Sequence, residues 1–141
     1  MGIRKARTTD VAKIGELLSQ LGYPTDRVAL GCKLNYLSQD TDHLCLVYEQ
    51  DGVVLAFIAV CFVPQMAVSN DLALIGYFAV EQQARRKGIG KQLEAYCEQL
   101  ARERNCNCIQ VHCNSKRIDA HRFYERQGYQ ESPKYFSKKL F

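Results

Sequence analysis

Residues 72–105 carry the pattern that most limits what this chain can be. An apolar run, Leu72–Val80, is followed by the basic residues Arg85, Arg86 and Lys87, and then by Gly88-Ile89-Gly90. Beyond the glycines, apolar residues recur at helical spacing as far as Asn105, where the pattern ends. The order strand, basic loop, glycine pair and helix predicts an α/β arrangement with a ligand site at the start of the helix.

The chemistry of this junction favours a phosphate group. Gly88 and Gly90 have no Cβ, so the backbone can pass close to a ligand. A helix that starts at Ile89 presents unpaired N–H groups and the positive end of its dipole, which together attract an anion. Lys91 adds to the positive charge of Arg85, Arg86 and Lys87. We therefore predict a phosphate or pyrophosphate site over residues 85–91.

Two familiar phosphate-binding loops do not fit. The dinucleotide fingerprint requires a third glycine at position 93, where Leu93 stands. The P-loop requires glycine at position 85 and Lys-Ser/Thr after Gly90, but the chain has Arg85 and Lys91-Gln92.

The rest of the chain predicts one α/β (α+β) domain over residues 1–141. It shows no repeat, low-complexity tract or linker. Period and turn residues predict a short initial segment near Ile3, helices at 11–21, 24–38, 89–105 and 119–127, a hairpin turn at 50–52, and strands at 43–49, 53–63, 72–80, 109–113 and 135–140. Strands with helices on both sides indicate a sandwich of helix and sheet layers.

Composition narrows the function classes. The 141 residues are 47% hydrophobic and 24% charged, with a formal net charge of +4, which is typical of a soluble globular protein. No apolar run is long enough to span a bilayer, and no signal-peptide core follows the basic start, so we expect a cytoplasmic protein. The seven cysteines include no CxxC pair, and we expect free thiols rather than a metal site.

Two motifs together resemble a known family. Arg85 to Gly90 reads Arg-x-x-Gly-x-Gly, which is similar to the acetyl-CoA loop of the GNAT-type N-acetyltransferases. Downstream, Ala120 to Tyr129 resembles that family's Ala-x-x-Phe-Tyr-x-x-x-Gly-Phe/Tyr segment. The resemblance covers the element order of the whole chain. It implies a mixed, mostly antiparallel central sheet of six to seven strands, flanked by about four helices and splayed between strands 4 and 5.

The resemblance also implies roles for individual residues. The backbone of Phe78, Ala79 and Val80 would bind the pantetheine arm as an added strand, and one of its N–H groups would polarise the thioester carbonyl. Residues 85–91 would hold the pyrophosphate. Asn114 would contact the cofactor. Tyr124 would protonate the departing thiolate as the catalytic acid.

The general base is not identified by the pattern. An alkylamine with a pKa of about 10.4 is protonated at neutral pH and must lose a proton before it attacks. Related sequences often place a glutamate within Ala-x-Ile-Glu, but here Gly76 occupies that position. The alternatives left open are Glu81, Asp71, His43 and His112.

We therefore expect an acetyl-CoA-dependent N-acetyltransferase that acts by direct transfer to the primary amine of a small molecule or peptide. The alternative, suggested by Gly76, is a non-catalytic acyl-CoA-binding or regulatory domain of the same fold. No recognisable module supports a nucleic-acid partner, and no membrane partner is expected. An exposed terminal strand would favour a homodimer.

Overall fold

The computed structural model describes residues 2–112, 117–131 and 136–140. The strands of this part are β1 (Gly2–Lys5), β2 (His43–Gln50), β3 (Val53–Val63), β4 (Leu72–Val80) and β5 (Cys108–Val111). The α-helices are α1 (Val11–Gln20), α2 (Arg27–Ser38), α3 (Ile89–Glu103) and α4 (Ile118–Arg126). Each predicted helix is confirmed, with its bounds within a few residues of those expected. No helix in these ranges is both long and apolar enough to cross a membrane.

The strands form one mixed sheet in the order β1-β2-β3-β4-β5. The first three pairings are antiparallel, and β4 pairs with β5 in parallel. Asp51 and Gly52, both with positive φ, make the predicted hairpin turn between β2 and β3. The mixed, mostly antiparallel sheet with four helices is as expected, but the described residues form five strands rather than six or seven.

The expected final strand at 135–140 accounts for part of that difference. Residues 136–140 lie in no strand, and the side chains of Phe136 and Leu140 are 92% and 86% exposed. Neither side chain buries the apolar surface that would offset the entropy of ordering a strand. Tyr135 lies outside the described residues, as does Cys113 at the predicted end of β5.

Each face of the sheet carries its own apolar core. On one face, Leu93 and Cys97 of α3 pack against Ile58 and Ile75. On the other face, Leu17 of α1 and Leu34 of α2 are among the residues that pack against β2, β3 and β4. The amphipathic pattern of α1 and α3 therefore places the sheet between two helical layers, with the end of β4 next to the start of α3.

A buried ion pair holds the first strand to the first helix. Both Asp10 carboxylate oxygens accept hydrogen bonds from Arg4, at 2.8 and 3.0 Å, and the Arg7 backbone N–H donates to the same group at 2.7 Å. Arg4 also binds Glu49 of β2. The Arg4 hydrogen bonds lower the pKa of Asp10. Asp10 is therefore part of this network rather than a side-chain cap of α1.

Truncation of Leu93 tests the packing of α3. Its side chain is fully buried, so Leu93→Ala should lower the free energy of unfolding by about 2–5 kcal/mol because it removes apolar contacts and leaves a cavity. Urea denaturation followed by circular dichroism measures this. The control is Val28→Ala on α2, where the side chain is 75% exposed and the expected change is below about 0.5 kcal/mol. Equal losses in the two variants would contradict this packing.

Candidate active site

A β-bulge in the middle of β4 changes which side chains face each helical layer. Ala59 of β3 pairs with Tyr77 and the next residue, Val60, pairs with Ile75, so Gly76 is left without a partner. Ala73 and Ile75 before the bulge pack in the α3-side core, and without the bulge Tyr77 and Ala79 would continue that face. Instead Phe78 and Val80 pack on the α3 side, and Ala79 packs on the α1 side.

The bulge coincides with the place where β4 and β5 part. Parallel pairing joins Leu72–Ile75 to Cys108–Val111, and among the described residues it goes no further along β4. Beyond Ile75, β4 keeps its pairing with β3 as far as Val80. On the β5 side, the backbone of residues 76–80 therefore has no ladder partner in the described chain. Such an edge can accept an extended ligand as an additional strand.

The basic loop brings the end of β4 to the start of α3. A short 3-10 turn, Gln82–Ala84, is followed by Arg86 and Gly88, both left-handed with φ of 68° and 82°. Gly88 is the N-cap of α3 and contributes no side-chain cap, so the first N–H groups of the helix lack an intrahelical partner. The side chains of Arg85, Arg86, Lys87 and Lys91 are exposed around them. The arrangement fits an anionic diphosphate.

The two glycines of this loop serve different purposes. Gly88 permits the left-handed backbone that a side chain would strain. A Cβ at Gly90 would lie 3.4 and 3.5 Å from two ring atoms of Phe123 and 3.5 Å from Val80 Cγ2. Gly90 therefore lets α4 and the end of β4 approach the first turn of α3 closely.

Tyr124 lies in an aromatic cluster beside this contact. Its ring centroid is 5.4 Å from that of Phe123, 6.3 Å from that of Phe78 and 5.4 Å from that of Tyr129, all edge-on. Phe78 also meets Phe123 edge-on at 5.7 Å. These contacts place Tyr124, on α4, against the part of β4 that β5 leaves unpaired.

The opposite face of β4 is open at the bulge. Gly76 is exposed, and a Cβ built there would meet only the Ala59 carbonyl oxygen, at 3.9 Å. The adjacent Tyr77 contacts Tyr23, from the α1–α2 loop, edge to face at 5.6 Å. A cavity of about 620 Å³ with a mainly apolar lining includes Gly76 and Tyr77 and continues past the end of α2 to Leu100 of α3. A second molecule can thus reach β4 on this face while another lies along its free edge.

Known proteins share both the sequence pattern and the fold of this chain. The family described as the acetyltransferase (GNAT) family matches residues 14–129, which is most of the chain. The chain belongs to the GNAT family. Members of this family use acetyl-CoA as co-substrate, and the chain is an acetyl-CoA-dependent acyltransferase.

Individual GNAT relatives extend over nearly the whole chain. The aminoalkylphosphonate N-acetyltransferase of Salmonella typhimurium is 32% identical over 143 residues, 98% of this chain and 90% of the relative. A GNAT family acetyltransferase from Staphylococcus aureus has a TM-score of 0.82 at 24% identity, over 99% of this chain and 100% of that one. A transcriptional regulator from Bacillus halodurans has a TM-score of 0.90 at 24% identity, over 98% of both chains. These two structures show the shared fold.

Most of the expected GNAT site residues lie together. Phe78, Ala79 and Val80 end β4, and residues 85–91 surround the start of α3 next to Val80. The Arg85 Nε donates a hydrogen bond to the Val80 carbonyl oxygen at 3.2 Å, which ties the loop to the strand. The Tyr124 ring contacts the rings of Phe78 and Phe123, which places it beside the end of β4. Asn114 lies outside the described residues.

The structure gives the position of each of the four candidate bases. Glu81 accepts hydrogen bonds from Gln20 at 3.0 Å and Lys13 at 3.1 Å, and these bonds lower its pKa and weaken it as a base. Asp71 precedes β4, about 30 Å from Val80 at roughly 3.3 Å per strand residue. His43 begins β2, where its Nδ1 lies 2.9 Å from Asp40 Oδ2. His112 follows β5 directly.

Two features of the site are not predicted from the sequence. The bulge has a sequence signal, since a glycine inside a strand pattern indicates one, but the prediction treats Gly76 only as a missing carboxylate. The Tyr23–Tyr77 pair joins a loop to a strand more than fifty residues away, and no local pattern indicates such a contact.

A charge placed at Gly88 tests the diphosphate site. Gly88→Glu should abolish the heat of acetyl-CoA binding in calorimetry, because a carboxylate would face the diphosphate at the helix start. The matched control is Gly52→Glu in the β2–β3 turn, where φ is 79° and the surroundings are equally open. The control bears the same backbone strain and should bind as wild type does. Unchanged binding by Gly88→Glu would place the diphosphate elsewhere.

Proposed function

We propose that this enzyme transfers the acetyl group of acetyl-CoA to the primary amine of a small molecule, by direct attack within a ternary complex. The observation that carries the proposal is the convergence of the unpaired end of β4, the basic N-terminus of α3 and Tyr124. The cavity at Gly76 and Tyr77 offers the acceptor its own approach on the other face of β4.

In this proposal, acetyl-CoA lies along the end of β4, where β5 no longer pairs with it. The backbone of Phe78, Ala79 and Val80 binds the pantetheine arm in the place that β5 leaves empty. The N–H groups of Ile89, Gly90 and Lys91, with the cations of the loop, bind the diphosphate. When the pantetheine arm occupies this edge of β4, the Arg85 side chain leaves the Val80 carbonyl oxygen and binds the donor instead.

The reaction forms a C–N bond to the acceptor amine and breaks the C–S bond of the thioester. The amine nitrogen attacks the thioester carbonyl carbon, while a backbone N–H of β4 stabilises the negative charge that develops on its oxygen. The C–S bond then breaks, the nitrogen of the new amide releases its surplus proton to solvent, and Tyr124 donates its proton to the departing sulfur and regains one from solvent. The products are the N-acetylated amine and the free thiol of coenzyme A.

Four of the seven cysteines are unsuited to forming an acetylated enzyme, which supports direct transfer. A nucleophilic cysteine needs an accessible, low-pKa thiolate. Burial raises the pKa of the Cys45 and Cys97 thiols to about 12, and it raises those of Cys61 and Cys106 as well. These four are therefore poor nucleophiles at neutral pH.

The acceptor amine loses its proton to solvent at the opening beside Gly76. No carboxylate projects from this position, and Glu81 is occupied by Lys13 and Gln20. Amine deprotonation then limits the rate at neutral pH, since an alkylamine has a pKa of about 10.4.

The name of a relative that matches nearly the whole chain suggests which amines to test first. The Salmonella typhimurium relative is named for aminoalkylphosphonates. We take a short primary amine with an anionic phosphorus group as the first candidate acceptor. Unsubstituted polyamines, amino acids and peptide N-termini complete the panel.

Tyr124→Phe tests the catalytic acid. Thiol release from acetyl-CoA should be seen with at least one amine of the panel, and the variant should lower kcat about 100-fold or more with KM for acetyl-CoA nearly unchanged, because only proton donation is lost. The control is Tyr36→Phe on the exposed face of α2, which should turn over as wild type does.

Two results would contradict this assignment. Full kcat in Tyr124→Phe would remove Tyr124 from the acid role. Acetyl-CoA binding without thiol release for any amine would favour the non-catalytic acyl-CoA-binding domain.

Gly76→Glu tests the missing base. Wild-type kcat/KM for the acceptor should rise about tenfold per pH unit below the pKa of the amine, because only the neutral amine reacts. A carboxylate at position 76 has room in the cavity and, once ionised above a pH of about 4.3, should accept the proton. The variant should therefore be faster at pH 7 and show a flatter profile.

Gly76→Gln is the matched control, since it has the same size and does not titrate. Its profile should keep the wild-type slope. Identical slopes in the Glu and Gln variants would show that the proton leaves by another route.

A further inference from the structure

A buried glutamate on α3 is bonded to the segment that follows α4. The Glu94 side chain is 3% exposed, and its Oε2 accepts a hydrogen bond of 2.8 Å from the Tyr129 hydroxyl. Burial raises the pKa of Glu94. Neither residue lines the acceptor cavity, and the proposed reaction gives this pair no role.

Two contacts in the described residues attach α4 and its C-terminal extension to α3, and the Glu94–Tyr129 pair is the second of them. The first is Phe123 against Gly90, in the first turn of α3. Glu94 lies one turn further along the same face of that helix, where it binds Tyr129. No side chain of α4 itself is fully buried, so partly buried contacts such as these hold it against α3.

Tyr129, which binds Glu94, also contacts Tyr124 directly. The ring of Tyr129 packs edge-on against that of Tyr124 at 5.4 Å. The Tyr129 backbone N–H also donates to the Tyr124 carbonyl oxygen at 3.0 Å, across the left-handed Gly128. A rotation of the Tyr129 ring would therefore shift the Tyr124 ring.

We infer that Glu94 and Tyr129 are positioning residues that hold Tyr124 at the departing sulfur. The inference rests on the proposed role of Tyr124 as the acid. A buried carboxylate is a costly way to stabilise a fold, since apolar side chains of similar volume do this as well or better. What the carboxylate adds is direction: its hydrogen bond fixes where the Tyr129 hydroxyl points, and hence where both rings lie.

The test separates position from stability by comparing a single and a double variant. Tyr129→Phe keeps the ring and removes the bond, while Glu94→Leu combined with Tyr129→Phe leaves no unpaired buried group. Both variants should lower kcat roughly tenfold to a hundredfold and keep KM for acetyl-CoA within about twofold. The double variant should recover the thermal unfolding midpoint of wild type without recovering kcat.

Two further variants complete the design. Glu94→Gln retains an oxygen acceptor for the Tyr129 hydroxyl and should keep kcat within about threefold of wild type. Glu103→Gln, in the exposed last turn of the same helix, should match wild type in every readout.

The outcomes are distinct. Wild-type kcat in Tyr129→Phe, with Tyr124→Phe impaired, would overturn the positioning inference and leave the proposed function standing. Recovery of both kcat and the unfolding midpoint in the double variant would show that the pair acts through stability alone, which also overturns it. A wild-type protein that releases no thiol with any amine would overturn the proposed function and this inference together.

Discussion

The rest of the site depends on one strand being paired on both sides for part of its length and on one side for the remainder. β4 is an interior strand as far as Ile75 and an edge strand from Gly76 to Val80. An exposed edge is normally a liability, because its free N–H and C=O groups can pair with another chain. Here the edge lies within the fold, between the basic start of α3 and the Phe78–Phe123–Tyr124 cluster. Its groups are available to a ligand that is extended and anionic at one end.

The charges at this end of the sheet support the same ligand. The net charge of +4 is small, but its distribution is uneven. Arg85, Arg86, Lys87 and Lys91 all lie around the helix start, and the nearby acid Glu81 is bonded to Lys13 and Gln20. The loop therefore keeps its positive potential, which adds to the dipole of α3.

The elements and the site differ in how well the sequence predicts them. The turn before Ile89, the helix after it and the helical conformation of Phe123 and Tyr124 agree with the prediction because each depends on local chemistry: glycines at turns and helical periodicity. The roles assigned to these residues stay predictions. The strand at 135–140 was wrong for its described part, since alternation alone does not supply a pairing partner. The Glu94–Tyr129 bond and the Tyr23–Tyr77 contact each join distant segments. Glu94 also lies in a helix that is rich in charged residues, where nothing in the sequence separates a buried acid from a solvated one.

The bulge and the missing carboxylate at Gly76 are separate facts. If the bulge existed only to present an acidic side chain, loss of that side chain would remove the reason for it. In this protein the bulge persists around a glycine whose backbone is not left-handed and whose Cβ position is open, so neither strain nor crowding requires glycine there. What the bulge still does is reverse the faces of β4, so that Phe78 and Val80 join the α3 side and Tyr77 lies beside Tyr23. In the proposed reaction, the backbone at residue 76 shapes the donor side of β4 and its side chain bears on acceptor deprotonation, so a substitution there can change the second without changing the first.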